Sequence, residues 1–239
     1  MLGWFLLGLI LLLALGVLLY WLLVVTEGVY LGRRLVVWMY DITADRYDGI
    51  KQFDEDAESF LVIRPLLWRI TDRAAPLILD VATGTGRLPA FLLDEATFNG
   101  RVIGLDASAR MLAYAQPKLS MYRQRASLVQ QTASDLPFPD ETFDAVTCLE
   151  ALEFFPNDTA ALEEMIRVLL PGGALLVTRR RGWEGKTFIG RYRDRDTFEA
   201  HLSSLGLADV ESLLWQIEYD LVFARKPMIL KHRTEIFNS

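Results

Sequence analysis

The chain divides where its hydrophobic pattern changes. From Met1 to Thr26 no side chain is charged, and Trp4–Val25 is almost wholly apolar, sixteen of its 22 residues being Leu, Ile, Val or Phe. As a helix this run is about 33 Å long, enough to cross a hydrocarbon core of roughly 30 Å. Its apolar side chains favour insertion by on the order of 5–10 kcal/mol. Tyr20 and Trp21 stand near its far end, where aromatic rings prefer the interface. A cleaved leader wants a basic start, a shorter run and a small-residue cleavage site, and this run matches none of the three. A buried core helix is the plainer alternative, disfavoured by the length of the charge-free run. The expectation is a retained span through residues 4–25.

Beyond the span, Leu31, Leu35, Val36 and Trp38-Met39 are interleaved with arginines. A helix lying along a membrane surface has this pattern, and so does one packed on a domain. From Pro76 the pattern alternates. Leu77–Val81, Arg101–Asp106, Ser127–Gln131, Phe143–Cys148 and Ala174–Thr178 read as buried strands, each short, apolar and bounded by turn residues. Between them, Leu88/Phe91/Leu92, Met111/Leu112/Ala115 and Leu162/Met165/Ile166/Leu169 have helical spacing. Pro171-Gly172-Gly173 is expected to stop the last of these helices. Phe198, Leu202 and Leu205 mark one more, and Val210–Trp215 and Asp220–Ala224 are close enough to form a hairpin.

This order predicts an α/β fold: a doubly wound, mostly parallel seven-stranded sheet with a C-terminal antiparallel hairpin, preceded by one transmembrane helix. The expected organisation is an anchor (1–26), an amphipathic helical segment (27–74), the α/β domain (75–227) and a tail (228–239). Ligands of such sheets bind at the C-terminal ends of the strands.

Composition narrows the function classes. The net charge is −6 and the isoelectric point about 5.1, which argues against a nucleic-acid partner. One cysteine, Cys148, leaves no internal disulfide, and it reads as a buried structural thiol. Two separated histidines, His201 and His232, form no metal cluster, so no metal site is expected.

The strongest chemical signal is the turn Asp80-Val81-Ala82-Thr83-Gly84-Thr85-Gly86, where glycines let backbone approach a ligand. Asp106, at the end of the next strand, has the spacing of a carboxylate that accepts from ribose hydroxyls. Together they imply a nucleoside-containing cofactor. A dinucleotide fingerprint needs a small residue at position 89, and Pro89 does not fit.

The array resembles class I S-adenosylmethionine (SAM)-dependent methyltransferases, in the group related to ubiquinone/menaquinone C-methyltransferases. The resemblance runs from about Pro76 to Val177. It is carried by Leu79–Gly86, by Gly104–Ser108 with Met111-Leu112, by Ser134-Asp135-Leu136-Pro137-Phe138, by Phe143–Val146 and by Arg167–Gly173. It implies that Asp80, Ala82, Gly84 and Gly86 hold the methionine end of SAM, that Asp106 binds the ribose and Ala107 lies against the adenine. Asp135 would receive the adenine amino group, with Leu136 packing on the ring. Tyr40–Tyr47 looks like an element that closes over the site, and Tyr47 is a candidate to touch SAM or the acceptor, or to be a surface tyrosine. Where relatives often carry histidine after the fourth strand, this chain has Glu150-Ala151-Leu152-Glu153. Glu150 and Glu153 are the candidate bases, against the commoner role of acids at a helix start. Methyl transfer is mostly a matter of positioning, so a missing histidine does not count against an enzyme.

The implied function is a membrane-anchored methyltransferase for a small, lipophilic acceptor, quinone-like or lipid; the alternative is a SAM-binding sensor or scaffold. Arg33 and Arg34 after the span, with no basic side chain before it, place the bulk of the chain on the cytoplasmic side. Residues 179–195 hold seven basic side chains against two acids, with Trp183 and Phe188 among them. They are expected either as a solvated loop or as a surface docked on anionic lipid.

Overall fold

The computed structural model describes residues 1–51 and 55–228. Nearly all of the expected C-terminal tail, 229–239, lies outside the described residues. Helix α1 (Leu2–Tyr20) continues into a π-helical turn, Trp21–Val25, and together they are long and apolar enough to cross a membrane. None of the side chains of α1 is buried by the rest of the protein. Gly28 (φ 73°) and Gly32 (φ 102°) then turn the chain into α2 (Arg33–Thr43). Both are left-handed positions that a side chain would strain. Short helices α3 (Tyr47–Lys51), α4 (Glu55–Glu58) and α5 (Arg64–Trp68) follow, the last two joined by a π-helical turn.

The α/β unit comprises β1 (Leu77–Val81), α6 (Arg87–Asp94), β2 (Arg101–Asp106), α7 (Ala109–Ser120), β3 (Ala126–Gln130), β4 (Phe143–Cys148) and α8 (Asp158–Val168). It is completed by β5 (Leu169–Arg180), α9 (Gly182–Lys186), α10 (Arg195–Ser204), β6 (Ala208–Leu214) and β7 (Tyr219–Arg225). The seven strands run in the order β3-β2-β1-β4-β5-β7-β6. The first five are parallel, and β7 is antiparallel to both β5 and β6. This is the sheet that the strand pattern predicts, hairpin included.

Each face of the sheet is covered by helices. On one, α8 and α10 bury Leu162, Met165, Phe198 and Leu202 against β4 and β5. On the other, α6 and α7 bury Leu88, Leu92, Ala115 and Leu119. Three helices begin on side chains that accept from a first-turn N–H: Ser108 for α7, Asn157 for α8 and Asp194 for α10.

Two expectations need correction. The helix ending in Leu169 stops one residue earlier, and Pro171-Gly172-Gly173 lies inside β5. There the register to β4 shifts between Phe143↔Leu169 and Ala145↔Ala174, and Gly172 takes φ 79°, so the Pro-Gly-Gly makes a strand irregularity. The core also begins before Pro76. Val62, Ile63, Leu66 and Ile70 are fully or almost fully buried in the same cluster as α6 and α7, so a boundary at 74/75 would cut one core.

Helix α2 packs on the domain with one face and leaves the other open. Val36 joins Val29, Phe154 and Phe188 in a small cluster, while Trp38 and Ile42 are exposed. Asp41, near the end of α2, accepts from the Ser108 hydroxyl, which ties the helix across the start of α7.

Candidate functional site

The strand order reverses at β1, and a cavity of about 260 Å³ opens at the C-terminal ends of β1, β2, β3 and β4. That is the crevice where an open α/β sheet binds ligands. Its floor is the turn after β1. Ala82 (φ 56°) and Gly84 (φ 56°) are both left-handed, and a Cβ on Gly84 would point into open space, 4.0 Å from the Tyr47 ring. A non-glycine residue such as Ala82 holds this conformation only at a cost.

Asp106 sets the shape of this turn. Its carboxylate accepts from the Gly84 N–H and the Ser108 N–H, both at 2.8 Å. Burial pushes its pKa up, and the hydrogen bonds from Ser108, Gly84 and Ala107 oppose the shift. The carboxylate keeps acceptor capacity beyond these backbone bonds, and Asp106 lines the cavity. Ala107, Ser108 and Met111 line it alongside.

Asp80 lies underneath rather than in the cavity. It is buried, accepts from Thr83 and Thr147 hydroxyls at 2.7 Å each, and burial raises its pKa to about 6. Through Thr83 it braces the turn that carries Gly84. Gly86 also stands outside the lining. Its φ is 78° and a Cβ there would meet Ala115 at 3.0 Å, so it lets α7 pack close.

Tyr47 and Glu150 both line the cavity. Burial, and then the nearby Glu150 charge, push the Tyr47 pKa up, so its hydroxyl stays protonated and can donate. Glu150 follows β4 in a left-handed conformation (φ 53°) and is buried. Its backbone N–H donates to Thr178 Oγ1 and its carboxylate pairs with Arg87 at 3.0 Å. A glutamate held buried, strained and ion-paired at a cavity wall fits a functional placement.

Glu153 does not reach the cavity. It is buried behind it, accepting from the Tyr219 hydroxyl and pairing with Arg180 at 3.4 Å. Burial raises its pKa, and these two partners oppose the shift. Asp135 and Leu136 are also outside the lining. Asp135 is exposed, while Leu136 is buried in the core with its N–H donating to Glu164 at 2.9 Å. Gln131, Thr132, Ala133 and Ser134, just before them, occupy that wall instead. A block read by its acidic residue thus misses the backbone that turns inward ahead of it.

The roof was also missed. Arg33, Val36, Val37 and Tyr40 from α2, with Phe154 and Phe155 after β4, close the cavity on its outer side. Their signal was the apolar stripe of α2 and the adjacent phenylalanines, which periodicity alone does not assign to a site.

Most of the basic loop is committed internally. Arg179 pairs with buried Asp220, which Arg181 and Arg195 also approach, at 3.6 and 3.5 Å. Arg180 pairs with Glu153 and Glu218, and Arg193 with Asp158. Arg191 donates to the Phe155 carbonyl. These arginines hold the loop to the domain. Cys148 is fully buried, and burial pushes its thiol up.

The donor set fits SAM: a half-buried carboxylate for hydroxyls, an open glycine backbone, and apolar surface from Met111 and Ala107. Residues 78–173 match the family model for a methyltransferase domain. The demethylmenaquinone methyltransferase of Thermus thermophilus is 36% identical over 139 residues, 58% of this chain and 63% of that protein. The ubiquinone/menaquinone biosynthesis C-methyltransferase of Proteus mirabilis is 40% identical over 153 residues, 61% of this chain and 59% of that protein. The chain thus spans about six tenths of the length of these relatives. Among solved structures, a SAM-dependent methyltransferase from Aquifex aeolicus aligns with TM-score 0.56 at 20% identity, covering 73% of this chain and 99% of that one. The [4+2]-cyclase SpnF aligns with TM-score 0.66 at 19% identity, covering 81% and 96%. At such identities the structures speak to the fold alone.

Proposed function

We propose, on the premise that residues 78–173 are a class I SAM-dependent methyltransferase domain related to the ubiquinone/menaquinone C-methyltransferases, that the whole chain is a membrane-anchored methyltransferase acting on a small, lipophilic acceptor, quinone-like or lipid. The observation that carries this reading is the cavity. It joins the Gly84–Asp106 cradle to an apolar roof, α2, that begins eight residues after the π-helical turn of the span. The names of the two quinone methyltransferases point to the same acceptor class.

SAM, when bound, supplies an electrophilic methyl group. The chain's own residues do the rest. Asp106 accepts from the ribose hydroxyls while its two backbone bonds fix its orientation. Ala82 and Gly84 offer backbone to the methionine end, on a turn braced by Asp80 through Thr83. Met111, Ala107 and the 131–134 segment enclose the adenine. The α2 roof, Phe154 and Phe155 exclude water and hold a planar acceptor, so that positioning supplies most of the rate. Tyr47 donates to an acceptor oxygen. Glu150, paired with Arg87 at 3.0 Å, receives the proton that the acceptor loses. Asp135 and Leu136 act from outside, through the backbone ahead of them. Residues 4–25 are the anchor, and the positive charge of Arg33 and Arg34 sets the domain on the cytoplasmic side.

The test is transfer of labelled methyl from SAM to a demethylated quinol in vesicles that contain the full chain. Labelled quinone supports the reading. SAM binding without transfer to quinol or lipid favours the sensor or a non-methylating enzyme, and the SpnF cyclase shows that the fold carries other chemistry.

A further inference from the structure

The C-terminal edge of the sheet carries exposed apolar side chains that the cavity does not use. Trp183 and Ile189 stand in the segment after β5, 76% and 67% exposed. Ile217, in the β6–β7 turn, is 94% exposed, and Leu31, just beyond the span, 51%. These residues come from three separate stretches, and hydrogen bonds bring the stretches together. The Trp21 indole N–H donates to the Thr187 carbonyl at 3.3 Å and the Tyr30 hydroxyl to the Ile189 carbonyl at 2.8 Å. The rings of Trp21 and Tyr30 stack with centroids 5.0 Å apart. The Arg181 N–H donates to the Glu218 carbonyl at 2.6 Å, which joins the exit of β5 to the hairpin turn. The foot of the span, the loop and the turn therefore share one edge.

The charges there are sorted unusually. Arg179, Arg180, Arg181, Arg193 and Arg195 turn towards acids of the domain, while Trp183 and Ile189 turn outward. A solvated loop has the opposite arrangement, and exposed apolar groups clustered at one edge mark an interaction surface. Arg34 and Lys186 are exposed, and no ion pair is recorded for either among the described residues. Aromatic and aliphatic side chains with unpaired cations beside them are the composition of a lipid headgroup interface.

We propose that this edge is a membrane-docking surface: Leu31, Trp183, Ile189 and Ile217 enter the headgroup–acyl boundary of an anionic leaflet, and Arg34 and Lys186 meet its phosphates. The bilayer is the occupant because the edge is bonded to the foot of the span. A helix crossing the membrane leaves its foot at headgroup depth. The proposal rests on the anchored reading above. It sets the cavity, which opens at this same edge, towards the lipid that delivers the acceptor.

The test places nitroxide labels on the full chain in nanodiscs of phosphatidylcholine with phosphatidylglycerol, using Trp183→Cys, Ile189→Cys and Ile217→Cys in turn. Met121→Cys, an exposed position at the end of α7, is the control; native Cys148 is fully buried. Labels at 183, 189 and 217 should be reached by oxygen and shielded from a water-soluble nickel chelate, with the 121 label showing the reverse. Arg34→Glu with Lys186→Glu should move the three labels towards water, and less so in discs of phosphatidylcholine alone. Three labels as open to nickel as the control, on a chain that stays in the membrane through alkaline carbonate, would overturn the docking surface and leave the anchor standing. Extraction of the chain by carbonate would overturn both. Shielding that persists in detergent and disappears on dilution would identify a second copy as the occupant and overturn the proposal.

Discussion

Asp106→Ala separates the two jobs that the structure gives this carboxylate. It accepts from the Gly84 and Ser108 N–H groups at 2.8 Å, so its removal leaves two backbone donors short of a partner. At about 1–3 kcal/mol for each unmet donor, the fold should lose about 3 kcal/mol. The loss is offset in part because a desolvated charge also disappears, the burial that raises the Asp106 pKa being relieved. The ligand side is separate. Charge-assisted hydrogen bonds to ribose are worth about 1.5–3 kcal/mol, so SAM affinity should fall about 10- to 150-fold. Calorimetric titration of the full chain in detergent reads the affinity, and thermal unfolding of the same sample without SAM reads the fold. Asp106→Asn keeps the shape but turns an N–H₂ towards a backbone donor, and it too must weaken binding. A folded variant that binds SAM within about twofold of the parent would falsify the ribose assignment.

Other outcomes follow from the same geometry. Glu150→Gln should lower kcat by about 100-fold while SAM affinity, measured by titration, stays within a few-fold, as expected of a proton acceptor; an unchanged kcat removes it from the chemistry. Asp80 has a folded pKa of about 6 against an ordinary 3.8, so it holds its proton to higher pH in the folded state. Its contribution is therefore full below the unfolded value and declines as pH rises from about 4 to about 6. Asp80→Asn should accordingly gain up to about 3 kcal/mol on the parent between these limits, read by denaturant unfolding at each pH; a constant difference contradicts the raised pKa. Arg179→Ser leaves buried Asp220 without its nearest partner and should cost about 3 kcal/mol in the same measurement; no loss would show that Arg181 and Arg195 suffice.

The parallel strands were legible because a strand buried on both faces reads as a short unbroken apolar run, as Leu77–Val81 and Phe143–Cys148 do. The start of β5 was not, because Pro171-Gly172-Gly173 has the signature of a stop in any local reading; only pairing of Leu169 to β4 and backbone bonds of Gly172 and Gly173 to Lys226 make it strand. Tyr47, Ala82, Gly84, Asp106, Ala107 and Glu150 lie at one cavity, each next to a strand end or on the segment covering it. Asp80, Gly86, Leu136 and Glu153 do not, since burial beneath or behind a site leaves no local mark, and Asp135 points away from the cavity as an exposed side chain. The basic loop shows the same limit. Its excess of charge is visible in the chain, but Asp158, Glu153 and Asp220, which neutralise much of it, are distant in sequence and meet it only across the fold.

The most direct measurement takes membranes that hold the full chain, adds SAM carrying a labelled methyl group, and follows the extracted lipids and quinones by mass spectrometry. A lipid-soluble molecule that gains one labelled methyl, in a SAM-dependent manner and not with Asp106→Ala membranes, is the predicted result. Membranes in which the parent chain binds SAM, yet no extracted molecule takes up label, would contradict the account.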